Sequence, residues 1–324
     1  MSKIEWTEQT WNPFVGCTKI SEGCKNCYAE KMAYRLANMA LKKESFDSCD
    51  GYLHVINIDK KCWNGKTFFQ HSQLNKPFKL KKPTKYFVCS MSDLFHDDNS
   101  FDDISKVWDV MCQNPHHIFQ VLTKRPDRMI EFYRHIGKKC KDDGLDSVPS
   151  DSSDYLDYVG TPDHVWIGVT VENQEMADKR IPILLDIPAK TRFLSCEPLL
   201  DNIDFPLYDG WMPTYNNPDN SGGDKMAWPM IYDLSWVIIG GESGSNARPM
   251  HPQWAKNIIA QCEAANVPVF FKQWGEYAPS DNLPLSIVLK LKNHIFNDKT
   301  IVYRIGRKKS GNIINGTKYE QYPE

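Results

Sequence analysis

The chain has 324 residues, 41% of them hydrophobic and 12% aromatic, with a formal charge of −2. That is the composition of a globular domain, and the near-neutral charge excludes a protein that coats nucleic acid through a strong basic field. No stretch approaches the roughly eighteen apolar residues of a membrane span, and Met1-Ser2-Lys3-Ile4-Glu5-Trp6 lacks the signal-peptide pattern, so a cytoplasmic, non-membrane protein with reduced thiols is expected.

Residues 4–15 carry Trp6 and Trp11, end just past Pro13, and read as a strand or extended arm. The arm leads into Gly16-Cys17-Thr18-Lys19-Ile20-Ser21-Glu22-Gly23-Cys24-Lys25-Asn26-Cys27, with the cysteines spaced Cys-x6-Cys-x2-Cys. Three thiolates on one loop, with no fourth cysteine or histidine nearby in the chain, suit a metal centre with one open coordination position. A closed structural zinc site wants four ligands, whereas an iron–sulfur cube on three cysteines keeps one iron free. On spacing alone, zinc completed by Cys49, Cys62 or a histidine is the alternative. The remaining cysteines, Cys89, Cys112, Cys140, Cys196 and Cys262 among them, are expected to be mostly buried small hydrophobes.

Residues 26–41 are good helix formers. Tyr28, Met32, Leu36 and Met39 fall near helical spacing, with Lys31 and Arg35 for the other face. Residues 42–82 look like an irregular insertion with a turn at Trp63-Asn64-Gly65, followed by Thr67-Phe68-Phe69. Within 76–85, five lysines interleave with Phe78. Such a run either tracks a nucleic-acid backbone or is a solvated approach to a strand. Arg304, Arg307, Lys308 and Lys309 pose the same choice.

From there a pattern repeats: a short apolar strand, a polar cluster at its C-terminal end, then a helical stretch. The strands are 86–89, 117–122, 165–169, 191–194, 236–239 and 269–271, and helical spacers lie at 104–111, 127–136, 174–185 and 252–265. The polar ends hold Ser90, Ser92 and Asp93; Lys124 and Arg125; Thr170, Glu172 and Asn173; Ser195 and Glu197; Glu242; and Lys272, Gln273 and Trp274. Alternating strands and helices mean parallel strands joined by crossovers. With the first arm this makes about seven units, which predicts an α/β fold. It is read as a full or partial (β/α) barrel of the TIM type with long inserted loops, its chemistry at the C-terminal strand ends. The barrel is assigned to 1–285 with insertions at about 42–82, 138–160 and 206–233, the last two read as lid-like loops. Residues 286–324 form a C-terminal extension packed on the barrel, with 289–296 and 300–305 pairing through Asn297-Asp298.

The cysteine triplet after the first strand of such a chain resembles the radical S-adenosylmethionine (radical SAM) superfamily, whose usual spacing is Cys-x3-Cys-x2-Cys. Three extra residues separate the first two cysteines here. The whole-chain resemblance, over about 3–276, is to a phage- and prophage-associated three-cysteine-motif family. Its landmarks are Trp11-Asn12-Pro13, Gly16-Cys17-Thr18, Gly23-Cys24-Lys25-Asn26-Cys27-Tyr28-Ala29, Ser90-Met91-Ser92-Asp93-Leu94-Phe95, Leu122-Thr123-Lys124-Arg125-Pro126, Ser195-Cys196-Glu197-Pro198-Leu199 and Gly240-Gly241-Glu242-Ser243-Gly244. Photoproduct-lyase-like repair enzymes share the Cys-x2-Cys-Tyr-Ala end and are distantly similar.

The resemblance implies a 4Fe-4S cluster on Cys17, Cys24 and Cys27, S-adenosylmethionine chelated to the open iron, and a 5′-deoxyadenosyl radical that abstracts hydrogen. It places Ser90, Ser92 and Asp93 at the SAM amino group, where acceptors suit an ammonium, although Ser92 or Asp93 also reads as a helix N-cap. Thr170, Glu172 and Asn173 would hold ribose hydroxyls, and Ser195, Glu197 and Glu242 belong to the same cofactor set. Lys124 and Arg125 would bind a substrate carboxylate or phosphate, or else form a solvated pair. Gln273 and Trp274 would line the mouth, with core packing the alternative for Trp274. The expected substrate is modified DNA or a nucleotide in a bacterium or phage-infected host, with glycyl-decorated thymidine isomerised from nitrogen to α-carbon attachment. A reductant protein such as flavodoxin or ferredoxin is the expected partner. The alternatives are a radical SAM lesion lyase and a non-catalytic, zinc-stabilised nucleic-acid-binding module.

Overall fold

Seven short runs rich in β-branched and aromatic residues form one parallel sheet in the computed structural model, which describes residues 4–42, 47–142, 160–208, 228–280, 288 and 290–324. They are β1 (Gln9–Trp11), β2 (Lys85–Val88), β3 (Ile118–Thr123), β4 (Val165–Thr170), β5 (Arg192–Cys196), β6 (Trp236–Gly240) and β7 (Val269–Gln273). Their spatial order is their sequence order, and the sheet curls into a half barrel flanked by helices. The helices are α1 (Tyr28–Leu41), α2 (Phe101–Cys112), α3 (Pro126–Asp142), α4 (Gln174–Leu185) and α5 (Pro252–Ala264). Most of the expected loops at 138–160 and 206–233 lie outside the described residues, as do 286, 287 and 289 of the tail.

Side chains alternate strictly across this sheet, as a two-residue period requires. Tyr86, Val88, Phe119, Val121, Val169, Leu194, Val237 and Phe271 face the helices and join Val107, Phe132, Ile181 and Ile258 in the main core. The intervening positions, Phe87, Trp166, Phe193, Trp236, Ile238 and Phe270, face inward and pack with Trp6 of the N-terminal arm as a separate aromatic cluster. Trp6 lies 4.7 Å from Phe87 and 6.2 Å, edge-on, from Trp236. Further along the same inward rows the residues become small or polar: Gly168 and Thr170, Ser195, Gly240, Lys272. The change in size opens a cavity above an aromatic floor. An added Cβ at Gly168 would stand 2.6 Å from the Phe193 ring, so the floor depends on that glycine.

Helix α1 departs from the sequence expectation. Tyr28, Met32 and Met39 are exposed, while Ala29, Glu30, Ala33 and Ala37 are buried. Alanines permit close approach, and α1 packs on Tyr52, Val55, Ile56 and Trp63 of the insertion. Within that insertion Phe68–Phe69 pairs antiparallel with Phe14–Val15, just before the cysteines.

In the C-terminal part, Ile301–Arg304 lies between Asn293–Ile295 and Tyr277–Ala278 in a small antiparallel sheet. The last residues then run along the free edge of β7, where Phe271 N–H donates to Tyr319 O at 2.9 Å and Gln321 N–H to Val269 O at 3.0 Å. Covering an edge strand in this way removes a template for aggregation. The Tyr322 ring packs 5.2 Å from Trp236, with Lys85 Nζ 3.9 Å from its centroid, so the tail reaches back to β2.

Candidate functional site

One cavity of about 240 Å³ opens at the C-terminal ends of the strands. Cys17, Cys24 and Cys27 line it together with Ser90, Ser92 and Asp93 beyond β2 and Lys124 and Arg125 beyond β3. Thr170, Ser195, Glu197, Glu242, Lys272 and Gln273 add polar lining from β4 to β7, and Trp6, Phe87 and Leu122 are among its apolar residues.

The cysteine loop is gripped by side chains from four strand ends. At its start, Gly16 N–H donates to Met91 O at 3.1 Å, and Ser92 Oγ donates to Gly16 O at 2.6 Å. Gly16 has φ +94°, and a Cβ there would meet Lys66 O at 2.3 Å, so only glycine is accommodated. Next, Arg125 Nη2 donates to Thr18 Oγ1 at 2.6 Å while its Nη1 pairs with Asp93 at 3.1 Å. Asp93 also accepts from Thr123 Oγ1, Lys124 N–H and Phe95 N–H, which saturates its carboxylate. In mid-loop, Gly23 N–H donates to Glu172 Oε1 at 3.2 Å, and the fully buried Glu172 pairs with Arg180 at 3.0 Å. At the end, Asn26 Nδ2 donates to Glu242 at 3.0 Å, and Arg248 bridges Glu242 to Glu22, with Nη2 2.9 Å from the Glu22 carbonyl. Tyr28, which opens α1, donates from its hydroxyl to Ser90 O at 2.8 Å.

Across the cavity, Glu197 accepts from Lys272 at 3.1 Å and from Trp6 Nε1 at 3.3 Å, with Ser195 Oγ 3.4 Å away. Gln273 lies in the wall but is committed to Gly241 O and Gly275 N–H. Ser90 Oγ donates to Asn12 Oδ1 at 3.0 Å.

Three of the expected residues lie outside the cavity lining. Glu172 sits behind the cysteine loop, Asn173 caps α4 by accepting from Met176 N–H, and Trp274 is core, its indole donating to Ile313 O. The 76–85 lysine run approaches the N-terminal end of β2, opposite the cavity. Its Lys76 donates to Thr10 O, and Lys85 covers Tyr322. Arg304 and Arg307 likewise have partners, at Gly244 O and Ser245 O and at Glu5 respectively. Thr18, Asn26, Arg180 and Arg248 escaped sequence reasoning although they orient the loop. The signal for Arg248 was its place six residues after Glu242 in the same turn.

Burial pushes the Cys17 thiol up to about 12, with Asp93 adding to the rise and Arg125 opposing it. Burial also raises Cys27, against hydrogen bonds from the first turn of α1 and the charge of Lys124. Thiols of this kind give up protons when they take a metal. Cys89 also borders the cavity, where burial raises its thiol well above the ordinary value although the Phe14 backbone N–H, donating to the sulfur, opposes the rise. Among the described residues, no group of three His, Cys, Asp or Glu side chains is arranged to hold a metal ion, and no helix is long and apolar enough to cross a membrane.

No curated protein and no solved structure matches the chain. A family model described as "Protein of unknown function (DUF5131)" matches residues 1–323, and the chain belongs to that family.

Proposed function

We propose that this protein is a radical SAM enzyme whose 4Fe-4S cluster is held by Cys17, Cys24 and Cys27, on a partial (β/α) barrel of the TIM type. One observation carries the reading: the three-cysteine loop follows the first strand of a parallel half barrel and lines a cavity shared with the polar ends of the later strands. The donor set is compatible. A cluster takes each cysteine on a different iron, so the sulfurs need not meet at one point, whereas a single zinc gathers its thiolates at about 2.3 Å. When bound, the cluster and SAM supply an electron and a hydrogen-abstracting radical.

The chain's own share is binding, orientation and exclusion of water. The loop arrives already fixed by Ser92, Arg125, Glu172 and Arg248, so little ordering remains when a ligand binds. Trp6, Phe87 and Leu122 keep the deep end of the cavity apolar, which suits a short-lived radical. Glu197 and Thr170 present acceptors to the cavity for hydroxyl groups, although Glu197 already holds Lys272. The substrate reading is a modified nucleobase, with isomerisation of glycyl-decorated thymidine as its specific form. It rests on the family resemblance and on a cavity that pairs an aromatic floor with polar and charged strand ends. An electron donor of the flavodoxin or ferredoxin kind follows from the need for one-electron reduction.

The test is anaerobic purification and reconstitution. About four irons per chain and reductant-dependent release of 5′-deoxyadenosine from SAM are expected. Stoichiometric zinc without iron would sink the enzyme. For the substrate, glycyl-decorated and unmodified DNA are incubated and the base is fragmented by mass spectrometry, since isomerisation leaves its mass unchanged. An unaltered fragmentation pattern argues against the isomerase.

A further inference from the structure

We infer that Lys124 is the cation with which the cavity meets its ligand, and that this ligand presents a carboxylate. Among the described residues, three cationic side chains line the cavity: Lys124, Arg125 and Lys272. Two are already committed. Arg125 is held by Asp93 and Thr18, and Lys272 by Glu197 at 3.1 Å. The acids of the wall are matched as well, since Arg125 balances Asp93, Lys272 balances Glu197, and Arg248 balances Glu242.

Lys124 is left over. Its backbone N–H is fixed by Asp93 at 3.0 Å, so the residue is well placed, yet among the described residues its ammonium has no ion-pair or hydrogen-bond partner. It is half-buried and lines the same cavity as Cys17, Cys24 and Cys27. A partly desolvated ammonium without a counter-ion is stabilised by an incoming anion. A single free cation suits a monoanion such as a carboxylate, whereas a phosphate dianion calls for more donors than this wall has free.

Two ligands bring a carboxylate under the radical SAM reading, on which the choice of probes rests: SAM itself and a glycyl-decorated nucleoside. Calorimetric titration of the full chain, before and after anaerobic reconstitution, compares each with a counterpart that lacks only the carboxylate charge. The pairs are SAM against decarboxylated SAM, and N-glycyl-thymidine against its glycinamide. The wild type should prefer the acid of one pair by about 10- to 100-fold. Lys124→Met should abolish that preference and Lys124→Arg should retain most of it. The pair that discriminates identifies the source of the carboxylate.

Equal affinity within both pairs, no binding of either acid, or a preference that survives in Lys124→Met would overturn the assignment. So would a Lys124→Met variant that loses iron while keeping the preference, since that places Lys124 in the service of the cysteine loop. Iron content and 5′-deoxyadenosine release are scored separately. A chain that takes up no iron refutes the enzyme reading, and the acid-to-amide ratio still judges Lys124.

Discussion

Arg125 stands at the end of β3 with Nη2 2.6 Å from Thr18 Oγ1, so a cation from the sheet holds the residue next to Cys17. The same guanidinium pairs with Asp93, and both side chains are less than a tenth exposed. Arg125→Met leaves the Asp93 carboxylate buried without its counter-charge. A loss of about 3–5 kcal/mol in urea unfolding is expected, together with lower iron uptake on reconstitution. Arg125→Lys should recover only part, because a point charge cannot serve Thr18 and Asp93 at once. A wild-type midpoint for Arg125→Met would refute this role.

Gly23 lies between Cys17 and Cys24, where a Cβ would come 3.0 Å from the Cδ and Oε1 atoms of Glu172. Glu172 has little room to give, being fully buried and bonded to Arg180. Gly23→Ala should therefore destabilise the fold by about 1–3 kcal/mol and lower iron bound per chain. Iron at the wild-type level would show that the loop absorbs the methyl group elsewhere.

The cysteines divide by position and not by type. Cys17→Ser, Cys24→Ser and Cys27→Ser should each lose most of the reconstituted iron absorbance. Cys89→Ser, at a buried position whose sulfur accepts from the Phe14 backbone N–H, should keep it. Retention of full iron by Cys24→Ser would remove that residue from the ligand set.

Burial acts to raise the Glu242 carboxyl, yet hydrogen bonds from the Arg248 side chain and backbone N–H and from Asn26 outweigh it, and the group titrates below its ordinary value of 4.5. A depressed carboxylate contributes stability that is fully present above the unfolded value and is lost as pH falls through the folded one. Wild type and Glu242→Gln should thus differ by a constant amount above about pH 5.5, and the difference should shrink below pH 4.5. Urea unfolding across that range measures it, and a pH-independent difference would contradict the pairing.

Tyr322 ties the C-terminal tail to Trp236, Phe270 and Lys85 at once. Tyr322→Ala removes a ring from the aromatic floor and uncovers β7. A loss of about 2 kcal/mol is expected, with light scattering rising on heating as the edge becomes free. Unchanged thermal unfolding would mean that the tail is dispensable.

Much of this arrangement is local and was legible. The strand–helix alternation, the cysteine loop after the first strand and the polar strand ends each occupy a few adjacent residues, and periodicity reports them. The exposed face of α1 was not legible, because Tyr28 and Met32 look like core residues until Ala29, Ala33 and Ala37 are seen against Tyr52 and Trp63. Nor was the placement of Glu172, Asn173 and Trp274. Side-chain parity holds only within a strand, and β4 ends at Thr170 and β7 at Gln273, so the next residues turn away from the cavity.

By itself the sequence determined an α/β chain of parallel strands with three thiols in its first crossover loop, since hydrophobic period and residue spacing are properties of neighbours. The tertiary structure alone decided which charges are spent. Arg125 meets Asp93 across 32 positions and Arg248 meets Glu22 across 226, and no local pattern carries such pairings. Among the described residues, those long-range ion pairs convert an apparent Lys124–Arg125 doublet into one structural cation and one unpaired ammonium, because a buried charge settles where folding brings its counter-charge within a few ångströms.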